Sequence, residues 1–348
     1  MSDGSELTLV TQRALARADL SECETLHLWT AKVHDLSPLR RAKRLAKVVL
    51  YQTSVTDLAP LAGLALRELH LYENPELRDP SPIGAIESLA SLDLEVPRAV
   101  RFVRGSLRPL GALRRLRRLA VWSAPYARLD WLPSLEGLRD LLVRGCRVRG
   151  AWVAGLTRLR GLDLDRCAVD DVRALSGLRD LRALSLAANG LADVRGLERL
   201  ADLRFLSVAH NRLTSLAPLT ALERLGRLDV DYNHLARLPR DLAGWGRLEA
   251  LNLRHNRLED VGPLRALRRL QTLRLDENRL RSVAPLAGLR RLAYLHLTQN
   301  HVRDLTPLAR LRALVVLECA GNPAPVASLF ALPALVRIDG AFTRDQPR

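Results

Sequence analysis

Leucines recur along this chain at two alternating spacings, and residues 203–224, LRFLSVAHNRLTSLAPLTALER, show both at once. Leu206 and Val208 alternate with Phe205, Ser207 and Ala209, the period of two expected of a strand with one buried face. Leu216, Leu219 and Leu222 then follow at helical spacing, behind Ser215, whose hydroxyl can accept an N–H at a helix start. Leu225 opens the next copy, so the period is 22 residues. Copies start at Cys23, Leu45, Leu66, Leu89, Leu116, Leu138, Leu159, Leu181, Leu203, Leu225, Leu248, Leu270, Leu292 and Leu314, most of them 21 to 23 residues long.

A unit this short cannot bury its own apolar edge, so neighbours must stack into one continuous core. The pattern predicts an α/β solenoid: a right-handed horseshoe of about fourteen repeats, with a parallel β-sheet on the concave side and short helices or 3-10 turns on the convex side. Asp-Leu-x-Pro-Leu at 35–39, 57–61 and 304–308 suits the turns. Asp accepts hydrogen bonds at the turn start, and Pro in the first turn lacks an N–H that would have no partner. Asn211 and its equivalents at 74, 189, 233, 256, 278, 300 and 322 offer amide donors and an acceptor to backbone groups that the strand ladder leaves unpaired. Ala31, Thr53, Pro97, Ala124, Cys146 and Cys167 replace it elsewhere, so this ladder is patchy in the first half.

Three segments follow. Residues 1–22 form an N-terminal helical cap, with Leu7, Val10, Ala14 and Ala18 near one face. Residues 23–334 hold the repeats, with an insertion near 97–105 where one period stretches to 27 residues. Residues 335–348 form a C-terminal cap and tail. The repeated pattern LxxLxLxxNxLxDLxPLxxLxx resembles the short class of leucine-rich repeats, over about Cys23 to Ile338. That class includes a regulatory subunit of type-1 protein phosphatases and the repeat domains of bacterial internalins. The resemblance implies a curved scaffold that grips another protein on its concave strands. A regulatory subunit holding a phosphatase or GTPase is the alternative it carries.

Composition refines this picture. Apolar residues reach 48% while aromatics are 4%, which suits a leucine core. The net charge of +16 raises nucleic-acid binding through an arginine-rich exterior as a second alternative. All but three of the 54 basic residues are arginine, a skew that a GC-rich genome would produce. Twelve carboxylates against seven cations on the expected concave positions give −5 there, leaving +21 elsewhere. A nucleic acid in the hollow would therefore meet repulsion, and is not the expected partner. Cys23, Cys146, Cys167 and Cys319 have no metal or redox spacing and read as buried, reduced thiols. The first residues, MSDGSELTLVTQR, show no basic region leading into an apolar run, and no stretch has the length of a membrane span. The expectation is a cytoplasmic, monomeric protein without membrane contact.

Candidate chemistry is sparse. None of the eight histidines sits in HExxH, and no phosphate loop or nucleophile elbow occurs. No catalytic residue, cofactor or metal is expected. The outward strand positions are more informative. Trp29, Tyr51, Tyr72 and Trp122 share one file of fourteen positions, holding four of the chain's ten Trp and Tyr residues. Rigid aromatics on an exposed strand face are anchors for a protein partner. His27 and His70 flank them. Asp163, Asp165, Asp229, Asp231, Arg254 and Asp276 follow along the same strand faces, giving a partner surface that is aromatic in its N-terminal half and acidic in its C-terminal half. Between them Ser185, Ala187, Ser207 and Ala209 leave a floor of small side chains.

Overall fold

The computed structural model describes residues 5–30, 32–95, 107–122, 129–146, 151–326, 329, 333–335, 337–339 and 341–342. The chain divides into two compact units, Met1–Ala168 and Val169–Arg348. The first contains β1 (Glu6–Leu9), α1 (Gln12–Arg17), β2 (Thr25–Trp29), β3 (Lys47–Tyr51), β4 (Glu68–Tyr72), β5 (Ser91–Glu95), β6 (Arg118–Trp122), β7 (Asp140–Arg144) and β8 (Gly161–Asp163). Each strand pairs in parallel with the next. The second contains β9 (Ala183–Ser185), β10 (Phe205–Ser207), β11 (Arg227–Asp229), β12 (Ala250–Asn252), β13 (Thr272–Arg274), β14 (Tyr294–His296), β15 (Val316–Glu318), β16 (Arg337–Ile338) and β17 (Ala341–Phe342). Here β9 to β16 are parallel in chain order, and β17 returns antiparallel to β16. Strands β2 to β15 are the fourteen repeat strands, and the chain has the α/β solenoid class that its leucine spacing requires.

Register follows the repeat. Leu206 lies beside Leu184 and Leu228, and Ser207 beside Ser185 and Asp229. Leu206 and Val208 are fully buried while Phe205 is exposed. A slip by one residue would reverse every such assignment, so the apolar alternation itself locks the files in place.

The returning segments are 3-10 turns such as Ser37–Arg41 and Ala217–Ala221. Their apolar residues recur every three positions: Leu36, Leu39, Ala42 and Leu45, then Leu216, Leu219, Leu222 and Leu225, all buried. Three residues per turn is the 3-10 period, which places residues i and i+3 on one side. Fully burying each such leucine contributes roughly 1.5–3 kcal/mol. The expected turn starters behave as such: Asp35, Asp57 and Asp304 each accept the N–H two residues on, at 2.8 Å.

The ladder asparagines close the coil. Asn211 donates its amide to the carbonyls of Leu186, Val208 and Ala209 at 2.9–3.0 Å, and its Oδ1 accepts from Leu191 and Asn189 N–H. Asn233, Asn256, Asn278 and Asn300 repeat the arrangement. Where cysteine stands in, part of the work survives: the Cys167 thiol donates to Val143 O at 2.9 Å. Thr53 instead donates its hydroxyl to the Asn74 side chain at 2.5 Å. Replacements at Ala31, Pro97 and Ala124, and the insertion at 97–105, lie outside the described residues.

The described part of the N-terminal segment differs from the helical cap expected over residues 1–22. It opens with β1, and α1 covers only six residues. Val10 is 50% exposed, while Leu15 and Leu20 are the buried anchors. The open edge of β2 requires backbone partners, and a strand supplies them where a helix cannot. Gln12 then fastens the segment to the next coil through the N–H groups of His34 and Asp35. At the other end Asp339 takes a ladder role, accepting from the N–H groups of Cys319 and Ala320 at 2.5 and 2.7 Å.

Replacing Asn211 with alanine strands several buried backbone groups at once. Urea unfolding should show a loss of about 2–4 kcal/mol, well beyond the loss for Asn322→Ala, whose site is only part-buried.

Candidate functional site

In the first unit the outward positions form a polar and aromatic surface. Trp29, Tyr51 and Tyr72 are direct neighbours in register. Trp29 and Tyr51 have ring centroids 5.6 Å apart, and Tyr72 reaches Trp122 at 5.8 Å. Trp29 is 48% exposed. The four rings thus form two touching pairs on one face, clear of the leucine core. His70 stacks on Tyr72 at 6.0 Å, and His27 lies 3.3 Å from Glu6.

Beneath the second pair sits a charged centre that the sequence does not single out. Asp93 is 4% exposed although it occupies an outward file. His70 Nδ1 lies 3.0 Å from its Oδ2, the Tyr72 hydroxyl donates to it at 2.8 Å, and the Arg118 guanidinium lies 3.3 Å from Oδ1. Burial raises the Asp93 pKa, but His70, Tyr72 and Arg118 together outweigh it, so the carboxyl stays below its ordinary value. Burial first, and the Asp93 hydrogen bond second, push the Tyr72 hydroxyl well above its ordinary value. Tyr72 is therefore held by its oxygen while its ring remains on the face.

The acidic positions divide. Arg144 donates its Nε to Asp163 at 2.8 Å and lies 3.8 Å from Asp165, so both carboxylates already have a cation. Asp276 is buried, and its Oδ1 accepts the Thr298 N–H at 3.1 Å. Arg254 pairs with Glu277 at 2.8 Å and also lies 5.8 Å from the Tyr232 ring centre. Asp229 and Asp231 have no cation within ion-pair distance among the described residues. The Asp231 Oδ1 is buried without a hydrogen-bond partner, and Asp229 is held above its ordinary pKa by burial and then by Asp231. Within the second unit, Asp229 and Asp231 are therefore an acidic pair with no ion-pair partner among the described residues.

The second unit carries a ring stack outside the expected files. His210, Tyr232 and His255 stack at centroid distances of 4.2 and 3.9 Å, with His255 Nε2 2.6 Å from Glu277. Each directly precedes a ladder asparagine, and each has positive φ, near 50°. The signal in the sequence is three ring residues at that one position, one repeat apart. Phe205 and Tyr294 add two exposed rings on β10 and β14. Ser207 and Ala209 do form a covered floor of small side chains.

All four cysteines are buried. Burial raises the Cys23 thiol, and pushes those of Cys167 and Cys319 up to about 12. No group of metal-ligating side chains, and no helix long and apolar enough to cross a membrane, occurs among the described residues.

Both the acidic pair and the thiols can be read by titration and labelling. Asp229 binds its proton more tightly folded than unfolded, so its charge lowers stability as pH rises above the ordinary carboxyl value. Asp229→Asn should raise Tm at pH 7, with the difference from wild type fading as pH falls toward 3.8. In the native protein, iodoacetamide at pH 8 should leave Cys167 and Cys319 unmodified, as read by peptide mass mapping, and should label both once urea unfolds the chain.

Comparison with known proteins fits this geometry. A family model described as leucine rich repeats (2 copies) matches residues 247–288. A comparison with curated proteins found no match. Among solved structures, an internalin (inlF) from Listeria monocytogenes is similar at 21% identity and TM-score 0.72, over 95% of this chain and 93% of that one. A leucine-rich-repeat protein of Leptospira interrogans is similar at 21% identity and TM-score 0.74, over 97% and 96%. The plant peptide hormone receptor RGFR1, solved in complex with RGF2, is similar at 16% identity and TM-score 0.62, over 96% of this chain and 64% of the receptor. With its repeat strands in register, its ladder asparagines and these likenesses, the chain has the leucine-rich-repeat fold.

Proposed function

We propose that this protein is a non-catalytic scaffold whose outward strand face binds another protein. The observation that carries this reading is the pair of aromatic contacts, Trp29 with Tyr51 and Tyr72 with Trp122, held in strand register on a face the leucine core does not use. Rings fixed by neighbours lose little entropy on binding, which is why such residues dominate interface energies. Asp163 and Asp165 with Arg144, and Asp229 with Asp231, orient the partner by charge more than they add affinity. The likeness to a receptor solved with a peptide supports protein ligands in general. We further propose a monomer in the cytoplasm.

The test is affinity capture from the native cell with wild type, Trp29→Ala/Tyr51→Ala, and Val10→Ala as an exposed apolar control. Circular dichroism should show all three folded. Partners held by wild type and Val10→Ala should fall at least tenfold with the double variant. An identical set of captured proteins for all three would remove the aromatic face as the binding site.

A further inference from the structure

Three successive turns of the second unit carry cations and no acids. Residues 262–270, GPLRALRRL, hold Arg265, Arg268 and Arg269; residues 284–292, APLAGLRRL, hold Arg290 and Arg291; residues 306–314, TPLARLRAL, hold Arg310 and Arg312. The 3-10 turns of these segments, Gly262–Ala266, Ala284–Gly288 and Thr306–Arg310, pack side by side. A groove of about 630 Å³ runs between the first two, lined by Arg265, Arg268, Arg290 and Arg291 with Ala284, Pro285 and Gly288. All four arginines are exposed, and none pairs with a carboxylate among the described residues.

Within the second unit these are the arginine-bearing turn segments that lack acids; 37–45 and 108–116 in the first unit also lack them, but there Arg44 pairs with Glu22 and Arg108 with Asp130. The equivalent segments 173–181, 195–203 and 217–225 each keep at least one carboxylate. Elsewhere on the turns Arg173 pairs with Asp171, Arg195 with Asp193 and Arg224 with Asp202. Like charges gathered around one groove repel, and a ligand that brings negative charge relieves the repulsion.

We propose that this groove binds the phosphate backbone of double-stranded nucleic acid, independently of the protein-binding face. The guanidinium fork matches phosphate oxygens two at a time, and arginine is the residue suited to that geometry. None of the exposed large apolar side chains, Val10, Trp29, Phe205, Tyr232 and Tyr294, lies on these turns. The surface therefore offers no ring on which a single-stranded base could stack, and no apolar wedge for a membrane. With no base-reading element, recognition is of the backbone and blind to sequence.

The experiment measures anisotropy of a labelled 20-base-pair duplex between 25 and 200 mM salt. It compares wild type with R265Q/R268Q/R290Q/R291Q and with the charge-matched control R44Q/R173Q/R195Q/R224Q, whose arginines are already paired. The groove variant should bind at least tenfold more weakly at 50 mM salt. Its plot of log affinity against log salt should be shallower by about three to four, at roughly 0.9 for each phosphate that the variant no longer neutralises. The control should keep the wild-type slope. Absence of duplex binding by wild type at 25 mM salt overturns the proposal, as does an equal change of slope in the control, which would assign the effect to net charge. Tighter binding to phosphatidylserine vesicles than to duplex, with the same dependence on the four groove arginines, would assign the surface to a membrane instead.

Discussion

Each coil must leave its strand, turn back and begin the next without stranding backbone groups in an apolar interior. The asparagine amide does this in the second unit, with three donated bonds to carbonyls and an acceptor for N–H groups of the preceding coil. Its geometry imposes a cost one residue earlier. The preceding position adopts a left-handed backbone at Ala188, His210, Tyr232, His255, Glu277 and Gln299, residues for which that conformation is unfavourable by roughly 1–2 kcal/mol each. The buried amide network offsets this, and the left-handed turn places those side chains at the margin of the strand face. The ladder therefore sets both the stability of the coil and the position of the His210–Tyr232–His255 stack.

The same constraint separates the two units. In the first, ladder positions hold threonine or cysteine at Thr53, Cys146 and Cys167, which offer fewer bonds than an amide. Strands β2 to β7 span five residues there, against three for β9 to β15. The longer strands bring the fifth position into the sheet, and that position carries Trp29, Tyr51, Tyr72 and Trp122. A weaker ladder and an aromatic face thus occur on the same coils.

Much of this was legible in the sequence because the repeat fixes which residues share a file. The buried leucines, the capping aspartates and the neighbouring rings all follow from period and alternation. What escaped depends on groups with no fixed offset. Asp93 lies in an outward file yet is buried, because His70 and Arg118 on adjacent strands close over it. Asp163 and Asp165 read as free carboxylates until Arg144, on the preceding strand, is seen to hold them. The first residues read as helix because Leu7, Val10, Ala14 and Ala18 fit that spacing, while the open edge of β2 selects a strand. Local pattern decides the core here, and contacts between neighbouring coils decide which charges stay free for a partner.

The register of Leu184, Leu206 and Leu228 has an evolutionary reading. A coil added or lost whole leaves every other file aligned, whereas an insertion of one or two residues within a strand breaks the alignment on both sides. Recognition can then diverge by gene-level duplication of entire coils, or by exchange of outward side chains, while the leucine interior stays as it is.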